Sequence, residues 1–453
     1  MSTKKKDMDM LNGSLWDKIL AYALPLAATG VLQQLFNAAD VAVVGRFTGD
    51  LGPAAMAAVG ANSPVIGLIV NVFVGVSLGT NVVIANAVGK QDQDTIRKAV
   101  HTSIVFAVLG GIVLAVVGEL IAVPLLSALS VPEDVLPMAV LYLRIYVAGL
   151  PVILLYNFTA AIYRGVGNTR MPLAALTVSG IINVFLNIFF VVAFKMTVDG
   201  VAAATVISNA FSAVLLMVSL CRTNTAVRVD LKQLRIDRTA FRRIMRIGVP
   251  AGIQGAVFAI ANIIVQTAIN SLGTVVMAAS SAAFNVEIFA YDVLNSFSQA
   301  CTTFVGQNNG AGKRQRCRKI LRLCLIEDLI CTAMAILLIL IFGRQILSVF
   351  NTDPEVIETG YIRLVVIFTA YIFTMLYEVM SGYMRGFGIS MLPALLTIVG
   401  ICGVRIGWIY LVFPSSRTLQ TIMTAYPVSL SVTALLIFIA LLVTRPSVSN
   451  TDQ

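Results

Sequence analysis

Asp40 sits deep in an apolar segment, between Phe36 and the run Val41-Ala42-Val43-Val44. An acid at mid-membrane depth costs about 2.5–3.5 kcal/mol on insertion scales, so such a group is seldom there by accident. Gln33, Asn37 and Asp40 fall at i, i+4 and i+7, on one side of a helix. Asn183 and Asn187 are four apart in a later segment, and so are Thr205 and Asn209 in the next. Brought together, these groups would make a small polar pocket with one carboxylate. Burial disfavours a lone charged carboxylate, so the pocket suits a proton or a small cation such as Na+. The same groups would also serve as an interhelical hydrogen bond, typically worth ~0.6 kcal/mol, although an amide would do that without the charge.

A second set of polar residues lies further along. Asn262, Gln266 and Asn270 run at i, i+4 and i+8, and Asp292, Asn295 and Gln299 share a face with Glu287 above them. Glu378 stands alone in a still later segment. Glu287, Asp292 and Glu378 could line a cavity and meet cationic substrates. Glu378 could instead pair with Arg385, and Arg405 is expected to neutralise one of these acids. Met375 and Tyr377 cluster with Phe373, Met380 and Met384. Thioethers and aromatic faces suit apolar cations and promiscuous binding, and they also suit ordinary packing.

The elements that must position these groups are membrane helices. Hydrophobic residues make up 58% of the 453 and charged residues 12%, about half the charge of a soluble domain. The mean hydropathy is +0.90. Twelve apolar runs are long enough to cross ~30 Å of hydrocarbon: 19–45, 56–84, 99–123, 138–161, 171–193, 201–221, 247–271, 277–303, 323–343, 361–384, 391–413 and 422–443. They are too long and too continuously apolar for barrel strands, and backbone in lipid must pair within its own segment, so helices follow. The fold class is an all-α polytopic membrane protein.

The chain also repeats itself. Pro25 recurs as Pro250, and Gly89-Lys90 as Gly312-Lys313. Leu155-Tyr156, Arg164-Gly165-Val166-Gly167 and Pro172 recur as Leu376-Tyr377, Arg385-Gly386-Phe387-Gly388 and Pro393. Each copy holds six spans, an even number, so the two six-helix bundles should relate by a pseudo-two-fold along the membrane normal. The expected division is a tail (1–15), a first lobe (16–222), a basic linker (223–246), a second lobe (247–444) and a tail (445–453). Of the 32 Lys and Arg, only Arg46, Lys195, Arg344 and Arg417 fall in the opposite loops, and Arg144, Arg363 and Arg405 lie inside or at the ends of spans. The rest lie on one side, which places both termini in the cytoplasm of a plasma-membrane protein.

The net charge of +10 therefore belongs to loops beside lipid and not to a nucleic-acid site. Arg222, Arg228, Lys232, Arg235, Arg238, Arg242, Arg243 and Arg246 crowd the linker, read as a surface helix on anionic headgroups. Lys4-Lys5-Lys6 is followed by polar residues, so a cleaved signal peptide is not expected. The six cysteines form no C-x-x-C pair and read as small packing residues. His101, the single histidine, lacks visible metal-binding partners. No metal centre or cofactor is expected beyond a coupling ion.

The run from Gly306 to Arg314 resembles a phosphate loop only briefly. Its spacing is one residue too long, and Arg314 stands where Ser or Thr should hold magnesium. Neither a nucleophile elbow nor a zinc helix motif is present. ATP-driven transport and enzymatic chemistry are both disfavoured. An ion gradient remains, which supplies about 2.3 kcal/mol per charge per 100 mV.

Pro25 lies fifteen residues before Asp40, and Val43-Val44-Gly45-Arg46 ends the first span. With Gly306-Gln307-Asn308, Gly310-Ala311 and the two Arg-Gly-x-Gly repeats, this pattern resembles the multidrug and toxic compound extrusion (MATE) family over residues 16 to 444. The resemblance implies two six-helix bundles around a V-shaped cavity. It also implies alternating access and export of amphipathic, often cationic compounds in exchange for protons or sodium. Relatives build a first-lobe ion site from an acid in span one, an Asn and an Asp four apart in span five, and a Thr in span six. Asp40, Asn183 and Thr205 match that pattern, whereas Asn187 is an amide where a second carboxylate would stand. One formal charge favours protons over sodium. Other relatives use a Glu eight residues after the span-seven Pro, and that position here is Phe258. The resulting expectation is an antiporter that exports amphipathic or cationic drugs and not an enzyme, acting as a monomer on small molecules within the bilayer, with Asp40, Asn183, Asn187, Thr205 and Gln33 as coupling residues and Pro25 as hinge. Two alternatives are a lipid-linked oligosaccharide flippase, which would need a strongly cationic cavity, and a membrane-embedded enzyme.

Overall fold

Long apolar runs leave the backbone no partner but itself. The computed structural model, which describes residues 8–129 and 131–446, is accordingly helical. Lys4-Lys5-Lys6 and the end of the C-terminal tail lie outside the described residues. The helices are α1 (Trp16–Phe47), α2 (Gly52–Lys90), α3 (Gln93–Ala128), α4 (Leu136–Ala148), α5 (Leu150–Gly165), α6 (Arg170–Ile188), α7 (Val198–Arg222) and α8 (Arg238–Asn270). They continue as α9 (Thr274–Gly310), α10 (Arg314–Ile341), α11 (Gly343–Ser348), α12 (Pro354–Thr369), α13 (Tyr371–Gly386), α14 (Met391–Thr397), α15 (Val404–Leu411) and α16 (Leu419–Thr444). Among the described residues, ten helical stretches can cross a membrane alone, and twelve if each of two bent pairs is one span.

The bent pairs are the runs expected at 138–161 and 361–384. α4 meets α5 at 49° and α12 meets α13 at 48°. The first break has a local cause. Pro151 has no N–H to bond back along the helix, and a Cβ on the preceding Gly149 would lie 2.4 Å from Val206 of α7. The second break, at Thr369-Ala370, has neither residue type.

The chain divides into two compact bodies. The N-terminal body comprises Ala28–Val88 and Asp92–Met245. Its main core gathers Val43 and Val44 of α1, Leu126 of α3, Tyr142 and Leu143 of α4, and Val198 and Val201 of α7. The C-terminal body comprises the described residues up to Ala27, Gly89–Gln91, and Arg246 onward. One of its cores packs Leu15, Ile19 and Tyr22 of α1 with Phe297 and Phe304 of α9, Cys317 and Cys324 of α10, and Val379 of α13. α1 therefore contributes to both bodies and passes from one to the other two residues beyond Pro25. Large apolar side chains stay exposed along α3 (Ile112, Val113, Val116, Leu120) and α10 (Ile330, Met334, Leu337, Ile341), faces that suit lipid.

The linker is not the expected surface helix. Residues 223–237 are irregular apart from one 3₁₀ turn at Leu231–Gln233, and Arg238–Arg246 are the first turns of α8. Asp230 and Asp237 instead each start a separate helical stretch, the 3₁₀ turn and α8. Their carboxylates accept the N–H groups of Lys232 at 3.0 Å and Ala240 at 2.8 Å, as caps do. The start of α3 holds the same segment. His101 Nε2 accepts the Asp230 N–H at 3.1 Å and Thr102 Oγ1 accepts the Asp237 N–H at 3.0 Å. His101 Nδ1 lies 2.8 Å from the Arg97 carbonyl, which fixes the Nδ1–H tautomer. The only histidine is thus a structural acceptor.

Candidate ion-coupling site

Three helices of the N-terminal body converge on Asp40. α6 presents Gly180, Asn183 and Asn187 at i, i+3 and i+7, one face of a helix. The small residue in that set lets α1 come close: a Cβ on Gly180 would fall 1.8 Å from the Phe36 ring. Phe36 is one turn before Asp40, so this contact places the carboxylate against the amides. α7 supplies Thr205 from its second turn.

Asp40 is 7% exposed, Asn183 4% and Asn187 0%. Asn187 Nδ2 donates to Asp40 Oδ1 at 2.5 Å and to Asn183 Oδ1 at 3.2 Å. Thr205 Oγ1 lies 3.1 Å from Asp40 Oδ2 and 3.0 Å from the Val201 carbonyl, while Asn183 Nδ2 donates to it at 3.4 Å. A hydroxyl has one proton and cannot donate to both oxygens at once. With a proton on Asp40, the acid can donate to Thr205, which then donates to Val201, and each group is satisfied. With the acid unprotonated, Thr205 can donate to Asp40 Oδ2 instead, because the Val201 carbonyl already accepts the N–H four residues on in α7. Asn187 Oδ1 is buried without a hydrogen bond.

Asn209 takes no part, since its amide donates to the Thr205 carbonyl at 2.8 Å. Gln33 and Asn37 are exposed and stand outside the cluster. Gln33, expected among the coupling residues, shares a helix side with Asp40 over nearly two turns, but it lies outside the hydrogen bonds that join Asp40 to α6 and α7. Tyr142 and Tyr146 of α4 escaped sequence reading. Their rings stack at 6.4 Å and pack in the core that holds Val43 and Val44, just beyond Asp40 on α1. Their i, i+4 spacing inside an apolar run was the available signal.

A sequence profile of the MatE family matches residues 25–189 and 250–411, and so covers both halves of the duplication. The chain belongs to the MATE family. "Probable multidrug resistance protein YoeA" of Bacillus subtilis (strain 168) is 27% identical over 433 residues, 94% of this chain and 93% of the relative. "Probable multidrug resistance protein NorM" of Thermotoga maritima is 27% identical over 394 residues, 86% and 84% of the two chains. A solved multidrug resistance MATE family transporter in an outward-facing conformation shares the fold, with a TM-score of 0.90 at 20% identity over 98% of this chain and 99% of that one.

In this MATE chain two acids of the C-terminal body, Glu287 and Glu378, face buried bases. Arg363 Nε donates to Glu287 Oε1 at 3.0 Å and Nη2 to Oε2 at 3.5 Å, and Nη1 reaches the Ser280 hydroxyl and its carbonyl. Glu378 accepts from Tyr291 at 3.3 Å and faces Arg385 at 4.0 Å. Arg405 neutralises neither, contrary to expectation. It donates to Ser429 Oγ at 3.1 Å and lies over the Tyr426 ring at 4.2 Å. The cause is its position on α15, which packs on α16. Met375 and Tyr377 are buried in apolar clusters of this body. Asn262 and Asp292 are half-buried, and Gln266 donates to Asn270 at 2.8 Å.

The close approach at Gly180 yields a test. Gly180→Val would push the Phe36 ring away and carry Asp40 from its amides. Overpacking of this kind costs about 1–3 kcal/mol, so the variant should melt earlier in detergent and lose efflux, whereas Gly180→Val with Phe36→Ala should recover part of both.

Proposed function

We propose that this MATE-family chain is a secondary antiporter that exports amphipathic or cationic compounds across the cell membrane, with Asp40 taking up the coupling proton and both termini in the cytoplasm. The observation that carries this reading is the Asp40 cluster. One carboxylate is buried among neutral partners, with no base bonded to it, and a hydroxyl and an amide beside it can redirect their bonds when it takes a proton. Protonation would redirect the bonds of Asn187 and Thr205 and so shift α1 relative to α6 and α7. α1 would then yield near Pro25, which offers no N–H to the carbonyl four residues back. That movement would reshape the first-lobe cavity and release substrate outward.

Sodium is the second reading. Asp40, Asn183, Asn187 and Thr205 gather several side-chain oxygens, and Asn187 Oδ1 has no hydrogen bond. A flippase for pyrophosphate-linked sugars is less well supported, because Arg363 and Arg385 face Glu287 and Glu378. Proteoliposomes loaded with a fluorescent cation separate these readings. Under the proton reading a pH gradient alone drives transport and a sodium gradient alone does not. Transport driven by neither gradient overturns the antiporter.

A further inference from the structure

Two more acids lie buried in the C-terminal body, on a helix that sequence reading passed over. Glu327 and Asp328 are adjacent in α10, at 1% and 0% exposure. Both carboxylate oxygens of Glu327 are without a hydrogen bond, as is Oδ2 of Asp328. The remaining oxygen, Asp328 Oδ1, accepts from Thr332 one turn on at 2.7 Å. Neighbouring residues on a helix point about 100° apart, so burying both requires packing on two sides. α9 and α13 supply it.

Among the described residues no base answers these charges: Lys18 of α1 donates to the Asp9 and Asn12 carbonyls at 2.7 Å each. Arg363 of α12 is taken by Glu287, Arg344 by Glu358, and Arg385 of α13 donates to Gln254 at 3.1 Å and faces Glu378. The basic residues of α10 itself end at Arg322, which is exposed and about 7 Å before Glu327 along the axis. The other titratable groups of the packed elements are Tyr22 of α1, Tyr291, Asp292 and Cys301 of α9, and Tyr371, Tyr377 and Tyr383 of α13, with Cys317, Cys324 and Cys331 on α10. None supplies a positive charge. Among the described residues no group of three or more His, Cys, Asp or Glu is arranged to hold a metal ion.

The acids also form a series. The start of α1 packs on α10 just before this pair: Ile19 and Tyr22 share a core with Cys324, and Asp17 is exposed in the first turn of α1. Asp17, Glu327 and Asp328 thus run from an exposed helix end to buried positions in one body. A buried carboxylate that has neither a base nor a donor is stable when it carries a proton.

We propose that Glu327 and Asp328 form a second proton-binding site, separate from Asp40 and filled from solution through Asp17. A proton leaving the aqueous side binds a Glu327 oxygen and neutralises one carboxylate. Its transfer to Asp328 breaks that O–H bond and forms another, leaving Glu327 ionised and ready for the next proton. In the transport cycle this role rests on the antiporter reading above, whereas proton binding itself does not.

Infrared difference spectroscopy on the full chain in lipid nanodiscs, titrated from acid to alkaline pH in potassium and in sodium, tests the site. Glu327→Gln and Asp328→Asn should each remove a carbonyl-stretch band of a protonated carboxylic acid, while Asp40→Asn leaves both bands in place. The bands should titrate alike in the two salts. Unchanged bands in both variants, or bands displaced by sodium, would overturn the proposal. Asp17→Asn, an exposed change, should slow the appearance of the Glu327 band several-fold after a pH jump, and an unchanged rate would overturn the entry route. Since these readouts need no transport, failure of the antiporter reading and failure of this site remain distinguishable.

Discussion

Asp40→Asn should leave the chain folded in the membrane and reduce gradient-driven efflux to the level of empty vesicles. Asparagine has the shape of a protonated aspartate. Its carbonyl can accept from Asn187 Nδ2, and its NH2 can donate to Thr205, which then bonds the Val201 carbonyl. The substitution therefore fixes the arrangement that a bound proton would produce and removes the exchangeable charge. Melting should match or exceed that of the native chain, because a buried carboxylate carries a desolvation cost that the amide avoids. Substrate binding should survive, since only the link to the gradient is cut. A proton moving down 100 mV supplies about 2.3 kcal/mol, and a variant without that link has no means of concentrating substrate. The measurements are efflux from proteoliposomes under a pH gradient and drug resistance of cells at matched expression. Efflux within about tenfold of the native rate, a difference of only 1.4 kcal/mol, would remove Asp40 from the coupling role.

The membrane fold was legible because its signal is one of composition: apolar runs of spanning length, and a duplication carried by prolines and Arg-Gly pairs. The Asp40 cluster was legible for a related reason. Asn183 and Asn187 obey helical spacing, and an acid in an apolar run stands out. Gln33 obeyed the same spacing and stayed outside, because periodicity gives the side of a helix and not how far its neighbours extend. Pairings across helices were harder. Arg363 looked like a span-end residue, yet it binds Glu287, while Arg405 was matched with an acid and instead lies over Tyr426. Distance along the chain says little about which basic group meets which acid. Glu327 and Asp328 were overlooked because they follow the basic turns Arg314–Arg322, where charge looks like ordinary loop chemistry. Their burial comes from α9 and α13, which no single helix reveals. The linker misled in a similar way: its basic composition suited a surface helix, but two aspartates placed as N-caps start separate helical stretches, with irregular backbone before each.

The second large effect expected is on stability. Arg363→Met should destabilise the C-terminal body by about 3–5 kcal/mol, because it leaves Glu287 charged and unpaired in a buried site. The pair is 2% and 9% exposed at its side chains, so water cannot replace the lost partner. Glu287 also lies where α9 meets α12, and the guanidinium reaches Ser280 two turns earlier on α9. Loss of Arg363 thus releases contacts along the whole helix pair. Glu287→Gln combined with Arg363→Met removes the orphaned charge and should recover most of the loss, as apolar replacements of buried ion pairs often do. A double-mutant cycle on unfolding in detergent measures the coupling, which for groups in direct contact reaches about 0.5–3 kcal/mol. If Arg363→Met alone cost less than about 1 kcal/mol, the range of an exposed surface pair, Glu287 would have to be neutral in the native chain. It would then join Glu327 and Asp328 as a proton carrier, and the pair would not be the brace between α9 and α12 that its geometry describes.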